Sequence, residues 1–160
     1  MIFKKSTYNL ILASIFAFLL SACAQQAAKI DSQIQGDVYQ GTDTVEYLAD
    51  GVPDRVFFAT NESVLTTASR DTLRKQAAWL RKNSDINVVL EGHADERGTR
   101  EYNLALGERR ANAARDYLMT YGISGKRISV ISYGKEKPVN PASSPLAWSQ
   151  NRRSVTVKVN

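Results

Sequence analysis

One acidic side chain and one arginine have the types and surroundings needed to bind a ligand that carries both charges. Asp95 lies in a polar loop between a strand-like run and a helix-like run. The start of a helix presents free backbone N–H groups, which favour a carboxylate-bearing ligand. Arg110 follows Leu106 by four residues and precedes Ala114 by four, so it lies on or beside the apolar stripe of that helix. Because an unpaired charge is costly there, we expect Arg110 to have a partner.

Two interpretations of this pair stay open on spacing alone. In the first, Arg110 forms a structural ion pair with Asp95 or Glu91, or extends its charge past the edge of the stripe, while Asp95 is a turn or cap residue. In the second, the two residues form a receptor for a zwitterion. The carboxylate would then hold an ammonium group, and the planar guanidinium would hold a carboxylate.

The remaining residues favour binding over catalysis. The chain has one cysteine and one histidine, so we expect no intramolecular disulfide, no cysteine-based zinc site and no cofactor. It contains neither a Gly-x-Ser-x-Gly nor a His-Glu-x-x-His motif. The enzymatic alternative is a periplasmic cell-wall hydrolase that uses Glu91 or Asp95 with His93. A lone histidine of this kind is more often a hydrogen-bonded structural residue.

Alternating patterns along the second part of the chain predict the elements that position these residues. Apolar periodicity predicts helices over residues 65–82 and 102–121, and strands over residues 55–58, 86–91, 128–133 and 155–159. A loop with three prolines separates the last two strands. The order β-α-β-α-β-β predicts an α+β domain over residues 53–160, with two main helices packed on one face of a small mixed sheet.

The beginning of the chain has the layout of an export signal. Two lysines precede an apolar run over residues 10–20, which ends in Leu20-Ser21-Ala22-Cys23. This run is too short for a stable membrane-spanning helix. Its ending resembles the lipobox of bacterial lipoproteins, which implies a signal peptide over residues 1–22 and a lipid on Cys23. The polar, turn-rich residues that follow, up to residue 52, predict a flexible tether.

The charge is distributed unevenly over these segments. The formal net charge of the chain is +5. Residues 53–160 hold 18 Lys and Arg against 11 Asp and Glu, whereas residues 24–52 hold one lysine against five acids. A basic domain on an acidic tether suits an acidic polymer or an anionic cell surface as partner. Nucleic acid is not an expected partner, because the chain is exported and no basic helix combines with an aromatic base-stacking platform.

Several motifs occur in order between residues 92 and 153. They are Gly92-His93-Ala94-Asp95-Glu96-Arg97-Gly98-Thr99, Tyr102-Asn103, Leu106-Gly107-Glu108-Arg109-Arg110-Ala111, Ser132-Tyr133-Gly134-Lys135-Glu136-Lys137-Pro138 and Asn151-Arg152-Arg153. Together they resemble the OmpA-like C-terminal domain family over nearly all of residues 53–160. The number of long motifs at compatible spacing makes this a specific signal.

The resemblance implies non-covalent binding of the peptide stem of peptidoglycan, centred on diaminopimelate. It implies that Asp95 pairs with the ammonium of the diaminopimelate side chain and that Arg110 holds its carboxylate. Alanine at either position is then expected to abolish binding with little change in thermal stability. Further contacts are implied for Arg97, for the loop after Phe58, and for backbone groups near Asn103.

One departure from the family pattern affects the loop after Phe58. Relatives usually carry aspartate directly after the strand-ending phenylalanine, whereas this chain has Ala59-Thr60-Asn61. Asn61 can supply only a neutral hydrogen bond. The family further implies TolB and the other Tol proteins as partners in envelope constriction, and an outer-membrane location through the lipid on Cys23, with the domain in the periplasm.

Overall fold

The computed structural model describes residues 37–159. The predicted signal peptide, Cys23 and the predicted tether up to residue 36 lie outside the described residues. In chain order the elements are β1 (Tyr47–Ala49), β2 (Val52–Pro53), β3 (Arg55–Phe57), α1 (Thr67–Lys82), β4 (Asn87–His93), α2 (Arg100–Thr120), a 3-10 turn (Gly125–Arg127), β5 (Ile128–Gly134), α3 (Pro145–Asn151) and β6 (Arg153–Val159). Among these, no helix is both long and apolar enough to cross a membrane.

Four strands form a mixed sheet in the order β3-β6-β4-β5. β4 and β5 run parallel, whereas β6 is antiparallel to both β3 and β4. The core lies between one face of this sheet and the helices α1 and α2, where Val88 and Leu90 meet Leu73, Leu80 and Leu118, each at most 1% exposed. The predicted α+β fold, with two main helices on one face of a mixed sheet, is therefore confirmed.

Both main helices begin at a threonine cap, close to the predicted starts. The Thr66 hydroxyl accepts the backbone N–H of Ser69 at 3.2 Å, so α1 begins two residues later than predicted. The Thr99 hydroxyl accepts the N–H of Tyr102 at 3.2 Å, so α2 begins two residues earlier. A side-chain oxygen that satisfies a free N–H of the first turn fixes where a helix starts.

The proline-rich loop before the last strand contains a helix that the sequence analysis did not predict. The Ser144 hydroxyl caps α3, and Pro145 occupies its first turn, where the missing N–H has no cost. Ala147 is fully buried and anchors this short helix. The three prolines made this segment resemble a loop, although it contains a helix of about two turns. This helix places Trp148 and Arg152 at the candidate site.

Residues 37–52, which were predicted to be tether, are folded onto the sheet, so the folded unit begins at Asp37 rather than at Pro53. β1 and β2 form a two-stranded antiparallel hairpin. Val38 and Leu48 are buried, with 7% and 6% of their surface exposed. This prediction was wrong because the segment lacks an apolar period of its own. Its few apolar and acidic side chains find partners far along the sequence.

Two glycines allow α2 to lie directly against β4. A Cβ atom on Gly92 would overlap the carbonyl oxygen of Gly107, and one on Gly107 would overlap the Ser132 hydroxyl. That hydroxyl donates to the carbonyl oxygen of Leu104 at 2.6 Å, which joins β5 to the same part of α2. This close approach fixes the depth at which α2 presents Arg110 to the loops above the sheet.

We expect Gly92→Ala to lower the free energy of unfolding by about 3 kcal/mol or more, because the added methyl group meets backbone that moves only with the helix. Gly125→Ala is the matched control, since the nearest atom to its Cβ lies at 3.4 Å. Its effect should stay within about 0.5 kcal/mol. Urea unfolding followed by circular dichroism measures both, and equal midpoints for the two variants would contradict the tight contact.

Candidate functional site

The candidate site is formed where three loops meet at one end of the sheet. They are residues 94–99 between β4 and α2, residues 58–62 after β3, and the junction of α3 with β6. Asp95, from the first loop, has 8% of its side chain exposed. It accepts from Arg97 Nε at 3.0 Å and Nη2 at 2.7 Å, and Arg152 Nη1 lies 3.5 Å away. One carboxylate therefore serves two guanidinium groups.

The surroundings of Asp95 keep its carboxylate charged. Burial raises the pKa of Asp95, but hydrogen bonds from the Arg97 side chain and backbone, and the charges of Arg97 and Arg152, outweigh it and leave the pKa below its ordinary value. The site thus presents a nearly enclosed negative charge near neutral pH. An approaching ammonium group would share it with the two arginines.

Arg110 is completely buried and donates only to backbone. Its Nε donates to the carbonyl oxygen of Glu62 at 2.8 Å, Nη1 to that of His93 at 2.8 Å and Nη2 to that of Ala59 at 3.0 Å. Burial, and then repulsion from Arg152, lowers the pKa of Arg110 to about 10, so it stays protonated. Neither ion pair that the spacing left open is formed. Three carbonyl oxygens take the place of a carboxylate.

The other predicted site residues divide into buried supports and exposed groups. Phe58 is fully buried beneath Arg110, with the guanidinium carbon 5.4 Å from the ring centre. Asn103 is also buried, and its amide donates to the carbonyl oxygen of Arg97 at 2.8 Å. Arg97, with 41% of its side chain exposed, and the exposed Asn61 reach the surface. Arg97 is thus the predicted residue best placed to meet a ligand.

Arg152 and Asp37 belong to the same cluster, although the sequence analysis did not assign them to it. Arg152 Nε donates to the carbonyl oxygen of Phe58 at 3.0 Å, and its Nη2 lies 3.1 Å from the Asp37 carboxylate. The other oxygen of Asp37 accepts the N–H of Thr60 at 2.6 Å. The Asn-Arg-Arg motif pointed to Arg152. No sequence pattern pointed to Asp37, because it lies in the segment that was predicted to be a tether.

Trp148, from α3, lies at the rim of the site. The Arg97 guanidinium carbon lies 4.4 Å from its ring centre. Its indole N–H donates to Glu96 at 2.8 Å, and the Ser143 hydroxyl donates to the same carboxylate oxygen. α3 therefore braces the loop that carries Asp95 and Arg97.

His93 is unsuited to acid–base catalysis. It is 1% exposed. Burial, then the charges of Arg153 and Lys137, lowers the pKa of His93 to about 3; the Lys137 backbone acts in the opposite direction but less strongly. The ring is therefore neutral near pH 7, and its 3.5 Å approach to Glu91 is not an ion pair. The sequence predicted a hydrogen-bonded histidine, whereas neither ring nitrogen makes a well-formed hydrogen bond within the described residues.

Comparisons with known proteins agree with the motifs. The model of the OmpA family matches residues 57–152. A peptidoglycan-associated lipoprotein of Rhizobium meliloti is 56% identical over 66% of this chain, and the match spans 60% of that relative's length. One from Legionella pneumophila is 34% identical over 92% of this chain and 93% of the relative. The crystal structure of the peptidoglycan-associated lipoprotein from Burkholderia pseudomallei superposes with a TM-score of 0.65 at 35% identity, covering 66% of this chain and 90% of that one.

The burial of Arg110 overturns the expectation that its replacement leaves stability unchanged. We expect Arg110→Ala to lower the free energy of unfolding by about 3 kcal/mol or more, because it removes three hydrogen bonds and leaves a cavity. The exposed neighbour Arg109 provides the control, and Arg109→Ala should change stability by less than about 0.5 kcal/mol. Thermal and urea unfolding measure the difference. Unfolding of Arg110→Ala at the wild-type midpoint would mean that these bonds carry no net stability.

Proposed function

Because the chain belongs to the OmpA family and, within it, to the peptidoglycan-associated lipoproteins, we propose that its folded unit binds the peptide stem of peptidoglycan, centred on diaminopimelate. The observation that carries this proposal is the enclosed, charged carboxylate of Asp95 beside the exposed guanidinium of Arg97. Diaminopimelate ends in an ammonium and a carboxylate on one carbon. A carboxylate and a planar guanidinium on neighbouring positions match these two groups.

Asp95 holds the ammonium group in this proposal. The pKa of Asp95 lies below its ordinary value, since the hydrogen bonds and charge of Arg97 outweigh the effect of burial. The Asp95 carboxylate is therefore ionised near neutral pH. Arg152, which lies within 3.5 Å of Asp95, takes part of that negative charge, and Asp37 offsets Arg152 in turn. The ligand's ammonium group would then share the Asp95 carboxylate with both arginines.

We propose that Arg110 binds the carboxylate of the ligand. Its present hydrogen bonds limit when it can do so. Three of the five N–H groups of a guanidinium donate here to carbonyl oxygens. A ligand carboxylate would reach Arg110 only when the loop of residues 59–62 moves aside. Arg97 needs no such rearrangement, so it makes the first contact. The loop, with Ala59 where relatives carry aspartate, then decides how much Arg110 contributes.

The sequence pattern at the beginning of the chain supports a proposal for the location. We propose that Cys23 carries lipid in the outer membrane, that the folded unit lies in the periplasm, and that the protein joins the two layers, with TolB and other Tol proteins as partners. Charge alone supports this less than the sequence suggested. Residues 37–160 hold 18 Lys and Arg against 15 Asp and Glu, because the acids of the predicted tether fold onto the domain. Specific contacts, more than bulk charge, therefore carry the wall binding.

We expect Asp95→Asn to reduce co-sedimentation with purified peptidoglycan sacculi by about tenfold or more, since a charged hydrogen bond contributes about 1.5–3 kcal/mol. Asp116→Asn, an exposed aspartate on α2, is the matched control and should sediment like the wild type. Thermal melting of both variants separates lost binding from lost folding. A folded Asp95→Asn that still sediments fully would refute the clamp.

Replacement of the lipidation residue tests the anchor independently of wall binding. We expect wild-type protein to fractionate with the outer membrane and its intact mass to include acyl chains on Cys23. Cys23→Ser should lose both properties while it keeps binding to sacculi, because the folded unit is unchanged. Membrane fractionation and mass spectrometry make the measurement, and an unmodified wild-type Cys23 would disprove the anchor.

A further inference from the structure

A second cavity lies on the face of the sheet that α1 and α2 leave uncovered. It has a volume of about 500 Å³. Successive residues of a strand point to opposite faces. Leu90 and Thr156 point toward the helices, where the Thr156 hydroxyl donates to Gln76 of α1 at 2.8 Å. Their neighbours Glu91 and Val155 therefore point to the other face, and both line this cavity.

A buried and poorly bonded arginine forms part of the cavity wall. Arg153 is 6% exposed. Among the described residues, its Nη1 makes a long bond of 3.4 Å to the carbonyl oxygen of Asn151, and its Nη2 donates to that of Lys137 at 3.2 Å. Its Nε has no hydrogen-bond partner within residues 37–159. A buried donor that stays unpaired costs free energy, so a partner in the cavity would stabilise this side chain.

His93 adds a second unsatisfied group to the same wall. Its ring is 1% exposed and stacks on Tyr133, with ring centres 5.6 Å apart. Neither of its nitrogens makes a well-formed hydrogen bond with any described residue. A neutral imidazole carries one donor and one acceptor, so the cavity offers a ligand both kinds of group beside the guanidinium of Arg153.

Glu91 supplies the opposite charge across the cavity. Its side chain is 24% exposed, and its carboxylate reaches no closer than 3.5 Å to His93. Glu91 lies opposite Val155, two positions from Arg153 along β6, which places the two side chains diagonally on one face. Within the described part of the chain they form no direct ion pair, although Arg153 senses the charge of Glu91. A carboxylate and a guanidinium thus face the cavity without neutralising each other.

The other cations around the cavity already have partners. Arg55 is held by Asp54, at 2.8 and 2.7 Å, and approaches Glu46 at 3.5 Å. Lys137 Nζ lies 3.6 Å from the centre of the Tyr133 ring.

Lys158 also lines the cavity and donates to the carbonyl oxygen of Leu48 at 3.1 Å, and Glu46 lines it with 84% of its side chain exposed. Of the lining charges in the described residues, Arg153 and Glu91 are the pair of opposite sign that lies diagonally on one face of the sheet without a direct ion pair.

We propose that this cavity binds a small zwitterion, of the size of an amino acid or a dipeptide, with its carboxylate on Arg153 and His93 and its ammonium on Glu91. A simple anion fits less well, because Glu91 would repel it. The volume lies within the usual range for small-molecule sites, and Val139 and Val155 provide apolar wall. This site is distinct from the proposed wall-binding site because the two share no side chain, although the backbone carbonyl oxygen of His93 accepts from Arg110.

The test titrates the full chain, purified in detergent, with alanyl-alanine and follows binding by calorimetry and by the ¹⁵N signals of His93. We expect saturable binding and a shift of those signals. The N-acetylated dipeptide and the dipeptide amide each lack one charge. Each should therefore bind at least about tenfold more weakly than the dipeptide. Absence of saturable binding, or equal binding of all three peptides, would overturn the proposal.

Variants assign the binding to this cavity. Glu91→Gln keeps the shape of a partly exposed side chain and should weaken dipeptide binding about tenfold. Asp95→Asn is the matched control and should bind the dipeptide like the wild type, whatever its effect on sacculi. If Asp95→Asn loses the dipeptide and Glu91→Gln keeps it, the ligand sits in the other site and the proposal is wrong. Co-sedimentation of Glu91→Gln with sacculi distinguishes two sources of the zwitterion. If the variant still sediments with sacculi, the ligand of this cavity is a free molecule. If it no longer does, the ligand is a peptide end in the wall.

Discussion

The buried guanidinium of Arg110 is the interaction on which the rest of this site depends. A charge without solvent needs several acceptors, and here they come from the turn after β3, through Ala59 and Glu62, and from the end of β4, through His93. One side chain of α2 therefore ties together two loops that are distant in sequence. Gly92 and Gly107 make this possible, because only their missing side chains let the helix come close enough to the strand.

The loop geometry that Arg110 fixes determines how charge is shared at the surface. The Asp95 carboxylate accepts a hydrogen bond from Arg97 and forms an ion pair with Arg152, and Arg152 forms a second ion pair with Asp37. The cluster is thus a chain of alternating charges in which the two end members, Arg97 and Asp37, are substantially exposed, whereas Asp95 and Arg152 are buried. Such a network holds a binding site in one arrangement before the ligand arrives, which lowers the ordering cost of binding. It also means that a variant of one member disturbs the others, so single substitutions report on the network and not on one contact.

Buried polar groups lie on both faces of the sheet, and the Ser154 hydroxyl on the helix side has no hydrogen-bond partner among the described residues. On the helix side, the buried polar groups of Gln76 and Thr156 bond to each other. On the other face, Arg153 and His93 keep donors without good partners. The sequence motif that contains Arg152 and Arg153 serves both faces, because neighbouring residues around the start of β6 point in opposite directions. Two adjacent arginines therefore belong to two different clusters of side chains.

The sequence by itself determined the α+β order and the two helices with their approximate bounds, because periodicity is a local property. Its resemblance to the OmpA-like family pointed to Asp95, Arg97 and Arg110 as a set. The sequence did not reveal α3 or the folding of residues 37–52, since both depend on contacts with distant residues rather than on an apolar period of their own. Only the tertiary structure decided that Arg110 is buried among backbone carbonyls while Arg97 faces solvent. The depth of a side chain depends on how closely helix and strand pack, and that distance is set by residues far apart in the chain.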